Sequence, residues 1–141
     1  MERIIAIKKQ LGVLFKHGKD ELLTEYDIDV IDDILSVYDG QGKSFHYDKN
    51  NVLSQSVQET LFNEKRTIIE NCLFGVDLNS KAVAICQLRL WIELLKNAYY
   101  KNEVMETLPN IDINIKSGNS LINKLNFAIG SKIGQGGVEL E

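Results

Sequence analysis

The chain of 141 residues contains one proline, two cysteines, two histidines and one tryptophan, and each scarcity closes a class of function. Cys72 and Cys86 lack the paired spacing of a zinc site and sit in apolar runs. They read as two buried thiols of a reducing cytoplasm, not as a disulfide or metal framework. No Ser/His/Asp set is visible, and His17 and His46 are isolated in expected peripheral elements, so both rings are expected to face solvent. Positive charge is not in excess: 16 Lys and Arg against 20 Asp and Glu give a net charge of −4. Phosphate binding rests on Lys and Arg, so this segment is not expected to be the main grip on a nucleic acid. The longest apolar stretch, around 82–95, is broken by Gln87, Arg89 and Glu93, and does not read as a membrane span. Met1-Glu2-Arg3-Ile4-Ile5 is too short and too charged for a signal peptide.

Two further patterns are closed by context. A phosphate-cradling glycine loop must follow a strand and open a helix. Gly40-Gln41-Gly42 falls in an expected hairpin turn and Gly134-Gln135-Gly136 in a polar tail. Asp27, Asp29, Asp32, Asp33 and Asp39 cluster in sequence, but without other ligands they read as a solvated acidic edge, and no metal site is expected.

Apolar periodicity supplies the rest. Residues 2–16 predict a helix with Ile4, Ile7, Leu11 and Leu14 on one face and Gly18 as its stop. It opens without a capping residue, as a chain cut from inside a larger domain would, and a mobile N-terminal helix would look the same. In 20–50, Tyr26, Ile28 and Val30 alternate with Asp27 and Asp29 as in a strand. Val30, Ile31, Ile34, Leu35 and Tyr38 also fit a helical stripe. Strands are preferred, because Asp39-Gly40-Gln41-Gly42 is a turn signal between 34–38 and 44–47. Residues 55–71 predict a helix opened by the capping box Ser56-Val57-Gln58-Glu59, with Val57, Leu61 and Ile68 on one side and Phe62 and Ile69 beside them. Residues 73–78 predict a strand buried on both faces. Asn79 or Ser80 should cap a helix running to about residue 100, apolar round most of its circumference, with Trp91 in the core. After Pro109, Ile111, Ile113 and Ile115 alternate with polar residues in a strand over 111–116 that ends at Ser117-Gly118-Asn119-Ser120-Leu121. A flexible Gly-rich tail, 123–141, is expected to follow.

Helix, strand, helix, strand from residue 55 onward implies two parallel strands joined right-handedly, part of a doubly wound α/β sheet with flanking helices and an inserted β-hairpin. Such sheets bind ligands at the carboxyl ends of their strands. Asp77 ends the first strand and Asn119 follows the second. A carboxylate there can accept two hydrogen bonds from a ribose diol, and an Asn amide can both accept from and donate to an adenine edge. The plainer reading is that Asp77 caps the next helix and Asn119 makes a turn.

A family resemblance bears on that choice. The stretch from Glu59-Thr60-Leu61-Phe62 through Cys72-Leu73-Phe74-Gly75-Val76-Asp77-Leu78-Asn79, then Cys86-Gln87-Leu88-Arg89-Leu90-Trp91-Ile92-Glu93-Leu94-Leu95-Lys96, then Leu108-Pro109-Asn110 and Gly118-Asn119-Ser120-Leu121, resembles the methylase core of bacterial type IIG/IIS restriction–modification enzymes over about residues 57–122. The resemblance implies a partial Rossmann-like fold of the S-adenosylmethionine-dependent class and methylation of DNA adenine at its exocyclic amine. It also implies an endonuclease in many members' polypeptides. It assigns Asp77 to the cofactor ribose, Leu78 to packing on the cofactor adenine and Asn119 to the polar position near that adenine. The departures are as informative. The family's Pro-x-Cys-Gly-x-Gly motif would lie ahead of Met1. Its Asn-Pro-Pro-Tyr loop, which holds the flipped adenine, cannot occur in a chain whose single proline is Pro109. The expectation is a partial methyltransferase domain over 1–122, with an insert at 20–50 and a βαβ core at 55–122. It should have no catalytic residue of its own and weak or absent cofactor binding. It would meet DNA only through its parent enzyme and the remainder of the domain. An interaction or assembly module that self-associates through its exposed sheet edge is the alternative.

Overall fold

The computed structural model describes residues 1–101, 104–106 and 114–120. Over these residues the chain is a mixed α/β unit of three helices and six short strands. Helix α1 spans Glu2–Gln10 and is followed by the hairpin strands β1 (Tyr26–Ile31) and β2 (Ile34–Asp39). Next come α2 (Val52–Cys72), β3 (Gly75–Asp77), α3 (Ser80–Leu95), β4 (Tyr100–Lys101), β5 (Val104–Met105) and β6 (Ile115–Ser117).

Helix α1 is shorter than its periodicity suggests, and the cause is Gly12. Its φ of +67° is the left-handed conformation that glycine adopts without a Cβ clash. The Gly12 N–H reaches the Lys9 carbonyl at 3.1 Å and the Val13 N–H the Lys8 carbonyl at 2.9 Å. That pair of bonds closes a helix with a Schellman turn, so the helix ends well before Gly18. The buried face also differs. Ile5 and Ala6 point inward, whereas Ile4, Ile7 and Leu11 of the expected stripe are exposed. Leu14 is buried, but from the chain beyond the helix.

In the 20–50 region the strand reading holds and the helical stripe does not, but the principal hairpin turns at Asp32-Asp33, seven residues ahead of the turn signal that starts at Asp39. β1 and β2 pair antiparallel from Tyr26↔Asp39 to Ile31↔Ile34. The two residues between them, Asp32 and Asp33, have φ of +50° and +60°. This is the primed-turn geometry that matches strand twist, and Asp tolerates it better than most residues. The expected turn at Asp39–Gly42 also forms. Asp39 Oδ1 accepts the N–H groups of Gln41 and Lys43 at 3.0 and 2.9 Å. The strand expected at 44–47 reduces to a Tyr38↔Ser44 bridge and the bond from Phe45 N–H to the Val37 carbonyl.

Helix α2 starts earlier than its capping box. Asn51, in extended conformation, accepts the N–H groups of Leu53 and Ser54 at 2.9 and 3.2 Å. Ser56 is therefore an interior helical residue whose carbonyl accepts the Thr60 hydroxyl. The expected apolar positions are correct. Val57, Leu61 and Ile68 join Ile5, Leu23, Ile28 and Val37 in one cluster under the hairpin. Phe62 and Ile69 join Val83, Leu94, Tyr99 and Ile115 in a second cluster under α3. Phe62 meets Tyr99 edge to face at 5.4 Å, and Trp91 packs half-buried on the same cluster.

β3 and β6 pair in parallel, with Gly75↔Ile115, Val76↔Lys116 and Asp77↔Ser117 in register, and α3 is part of the chain between them. The expected strand over 111–116 is seen from Ile115; residues 111–113, Pro109 and the tail lie outside the described residues. The expectation of burial on both faces fails. α3 covers the side bearing Gly75 and Ile115, while Phe74, Val76 and Leu78 are 71%, 53% and 75% exposed. Among the described residues the pair has one helix layer and one open face, and the apolar residues on that face stay bare. Ile85, Leu88, Ile92 and Leu95 of α3 are exposed as well, and Cys72 and Cys86 are exposed instead of buried. α3 ends at Leu95 rather than near residue 100. No described helix is long and apolar enough to cross a membrane.

Candidate functional site: the carboxyl rim of the parallel pair

Parallel pairing brings the carboxyl ends of β3 and β6 to one rim. Asp77 is the last residue of β3, opposite Ser117. The Gly118 N–H donates to the Asp77 carbonyl at 2.9 Å, which extends the ladder by one bond and sets Asn119 immediately beyond it. The two candidate residues therefore share one end of the sheet, and Leu78 and Asn119 are exposed there with Asp77.

The rim is ordered by its own polar side chains. Asp77 Oδ1 accepts the Asn79 N–H at 2.7 Å, and Asn79 Oδ1 accepts the Lys81 N–H at 3.0 Å as the N-cap of α3. Of the two caps the sequence offers, Asn79 is the one used. The capping role foreseen for Asp77 is thus present in altered form: it fixes the turn that carries the cap. One carboxylate oxygen is engaged in this way, and the other has no hydrogen-bond partner among the described residues. The positive end of the α3 dipole lies beside it, where negative charge is favoured. A cleft of about 190 Å³ lined by Gly75, Val76, Asp77, Ala82, Val83, Cys86 and Ile115 opens between β3 and α3 next to the carboxylate.

Larger clefts lie elsewhere. Ones of about 290 and 260 Å³ flank the segment 44–48, and exposed His46 lines both. They contain none of Asp77, Leu78 or Asn119. His17 and His46 are both exposed, as expected. No group of His, Cys, Asp or Glu among the described residues could hold a metal ion.

One charged feature went unread in the sequence. Lys65 is 2% exposed, in the middle of the apolar side of α2. Its Nζ lies 2.8 Å from Glu93 Oε1 on α3 and 3.0 Å from Glu2 Oε1 on α1. The contact with Glu2 is an ion pair without aligned hydrogen-bond geometry. Lys96 Nζ meets the second Glu93 oxygen at 2.6 Å. Burial alone would raise the Glu93 carboxyl. Hydrogen bonds from Lys65 and Lys96, with one shared with Glu2, outweigh it and bring it down to about 2. The sequence held the signal: a lysine at the helical spacing of Leu61, Ile68 and Ile69 must bring its counter-charges with it.

The geometry defines a class before any relative does: a mixed α/β unit with a parallel strand pair and a carboxylate on its carboxyl rim. Among known proteins, the chain is similar to one named "Putative type II restriction enzyme and methyltransferase" of Methanocaldococcus jannaschii. The two are 46% identical over 66 residues, covering 44% of this chain and 5% of the relative. The chain thus spans a small part of that protein's length. This likeness supports a segment related to restriction–modification methyltransferases. No family model and no solved structure matches the chain.

Proposed function

We propose that this chain is a segment of a type IIG/IIS restriction–modification DNA methyltransferase acting on adenine N6, and that it supplies the nucleoside-side contacts to S-adenosylmethionine. The observation that supports this best is the meeting of Asp77 and Asn119 at one rim of a parallel pair. In this reading the exposed Asp77 carboxylate accepts the ribose hydroxyls, Leu78 packs on the cofactor adenine, and Asn119 bonds its edge. The βαβ core is 55–122 of a partial Rossmann-like domain, and 20–50 is an insert. S-adenosylmethionine would supply the methyl group; the residues here bind and orient its nucleoside. The methyl-acceptor side needs a loop to hold the flipped adenine, and the single proline precludes Asn-Pro-Pro-Tyr. The segment is therefore inactive alone, and it meets DNA through the parent enzyme.

Titration of the isotope-labelled chain with S-adenosylmethionine tests this. Weak, saturable amide shifts confined to 75–79 and 118–120 are expected, together with no methyl transfer to DNA. Shifts elsewhere, or none at millimolar cofactor, would remove the cofactor assignment. The second reading, an assembly module, draws on the exposed apolar residues of α3 and β3. It predicts concentration-dependent sedimentation, and a monodisperse monomer counts against it.

A further inference from the structure

Strand β2 has one edge on β1 and a second edge that is only partly used. On that second edge the Phe45 N–H donates to the Val37 carbonyl at 2.8 Å and the Asp39 N–H to the Lys43 carbonyl at 2.9 Å. Backbone groups alternate sides along an antiparallel strand, so Leu35 turns its N–H and carbonyl to the same edge. Pairing stops at Phe45. Among the described residues nothing bonds the Val37 N–H or either Leu35 group there. The cleft of about 290 Å³ lies along this stretch, with Leu35, Val37, His46, Gln58 and Lys96 in its wall.

Gln58 is 6% exposed. Its Nε2 donates to the Ala98 carbonyl at 3.1 Å, and its Oε1 accepts nothing among the described residues. Glu2 Oε1 is the one unbonded side-chain atom there that is sealed from solvent, so the unbonded Gln58 oxygen is reached through the cleft. No Asp or Glu lines this cleft, in a chain that has 20 of them. Lys96 and His46 do line it, Lys96 with its Nζ on Glu93 and His46 with a ring that bonds nothing among the described residues. Two free N–H groups and a carbonyl in strand geometry are the complement of another extended backbone. The lack of carboxylates beside Lys96 and His46 favours an acidic side chain on it.

We propose that this cleft takes an extended, acidic peptide segment of a partner protein. The peptide adds as a strand to the β2 edge at Leu35–Val37, places a donor on Gln58 Oε1 and turns a carboxylate toward Lys96 and His46. The proposal does not depend on the methyltransferase reading.

Titration of the isotope-labelled full chain with the blocked pentapeptide Thr-Val-Glu-Val-Thr tests it. Saturable shifts are expected at the amides of 35–37 and at the Gln58 side chain, with none at 75–79. The same peptide with Lys in place of Glu should bind about threefold or more weakly. N-methylation at alternate peptide amides should abolish the shifts for one of the two alternating sets and leave them for the other, because only one set faces β2. Gln58→Met should weaken binding about fivefold, the loss of one hydrogen bond. The amides of Leu61 and Phe62 report whether α2 stays folded in that variant; if it does not, the N-methylated peptides on the wild type decide. No shifts at millimolar peptide, equal binding of the Glu and Lys peptides, or the same result for both N-methylated sets overturns the proposal. So does a response of these amides to a single-stranded oligonucleotide and not to the peptide, which would make the cleft a nucleotide site.

Discussion

Replacing Lys65 with methionine keeps the side-chain stem and removes the charge that joins α1, α2 and α3. Glu2 and Glu93 are then left facing each other, with only Lys96 still on Glu93. Breaking a buried ion pair by deleting one partner costs about 3–5 kcal/mol. Here Glu93 is 21% exposed and keeps one cation, so the expected loss at neutral pH is about 1–3 kcal/mol. The pH dependence gives the sharper check. In the folded chain Glu93 is lowered from 4.5 to about 2, burial being outweighed by its lysine bonds. A depressed carboxyl stabilises above its unfolded value, and that stabilisation is lost as pH falls from about 4.5 toward 2. The full interval corresponds to about 3 kcal/mol at about 1.4 kcal/mol per decade, which solvent screening reduces to about 1–2 kcal/mol. Urea unfolding of wild type and Lys65→Met between pH 7 and pH 2 reads this directly. The wild type should lose its advantage through the acid interval, so that the two curves converge. Equal stability at pH 7, or a gap that stays constant to pH 2, would refute the reasoning.

Two local predictions follow from the turns and caps. Asn51→Ala should lower stability by about 1 kcal/mol in urea unfolding, because Asn51 holds the first N–H groups of α2, whereas Ser56→Ala should stay within about 0.5 kcal/mol; the reverse order would restore the capping box as the helix start. Asp33→Gly should raise the thermal midpoint, since residue 33 is held at φ +60° and its exposed pairing with Arg3 is worth little; a gain of about 1 kcal/mol is expected, and a loss would mean the ion pair matters more than the backbone.

What was legible in the sequence had short-range causes. The inner positions of α2, the cap of α3 and the parallel relation of β3 and β6 follow from apolar period, one Asn and a connecting helix. Those were enough to place Asp77 and Asn119 at one rim. What was not legible depended on competition or on missing partners. Ile4, Ile7 and Leu11 have a helical period, but Ile5 and Ala6 win the core, because Gly12 ends the helix and the hairpin packs on that side. Asp32-Asp33 is not the usual turn pair, so its primed turn was hidden behind the stronger signal at Asp39–Gly42. The apolar run at 73–78 has the composition of a doubly buried strand, yet composition cannot say whether the second layer is present. Among the described residues nothing covers Phe74, Val76 and Leu78, and they are exposed. Lys65 was missed because a lone lysine in an apolar stripe declares neither of its carboxylates, one of which lies far off in the chain.

The central claim is that the Asp77 carboxylate recognises a ribose diol. Adenosine and an adenosine analogue lacking both ribose hydroxyls separate that claim from simple packing on Leu78. Hydrogen bonds to a charged acceptor contribute about 1.5–3 kcal/mol, or about ten- to a hundredfold in Kd. Amide shifts at Asp77 and Gly118 should therefore saturate with adenosine at about ten- to a hundredfold lower concentration than with the diol-less analogue, and Asp77→Ala should erase the difference. Equal titration by the two nucleosides in the wild type, or a preference that persists in Asp77→Ala, would contradict the account.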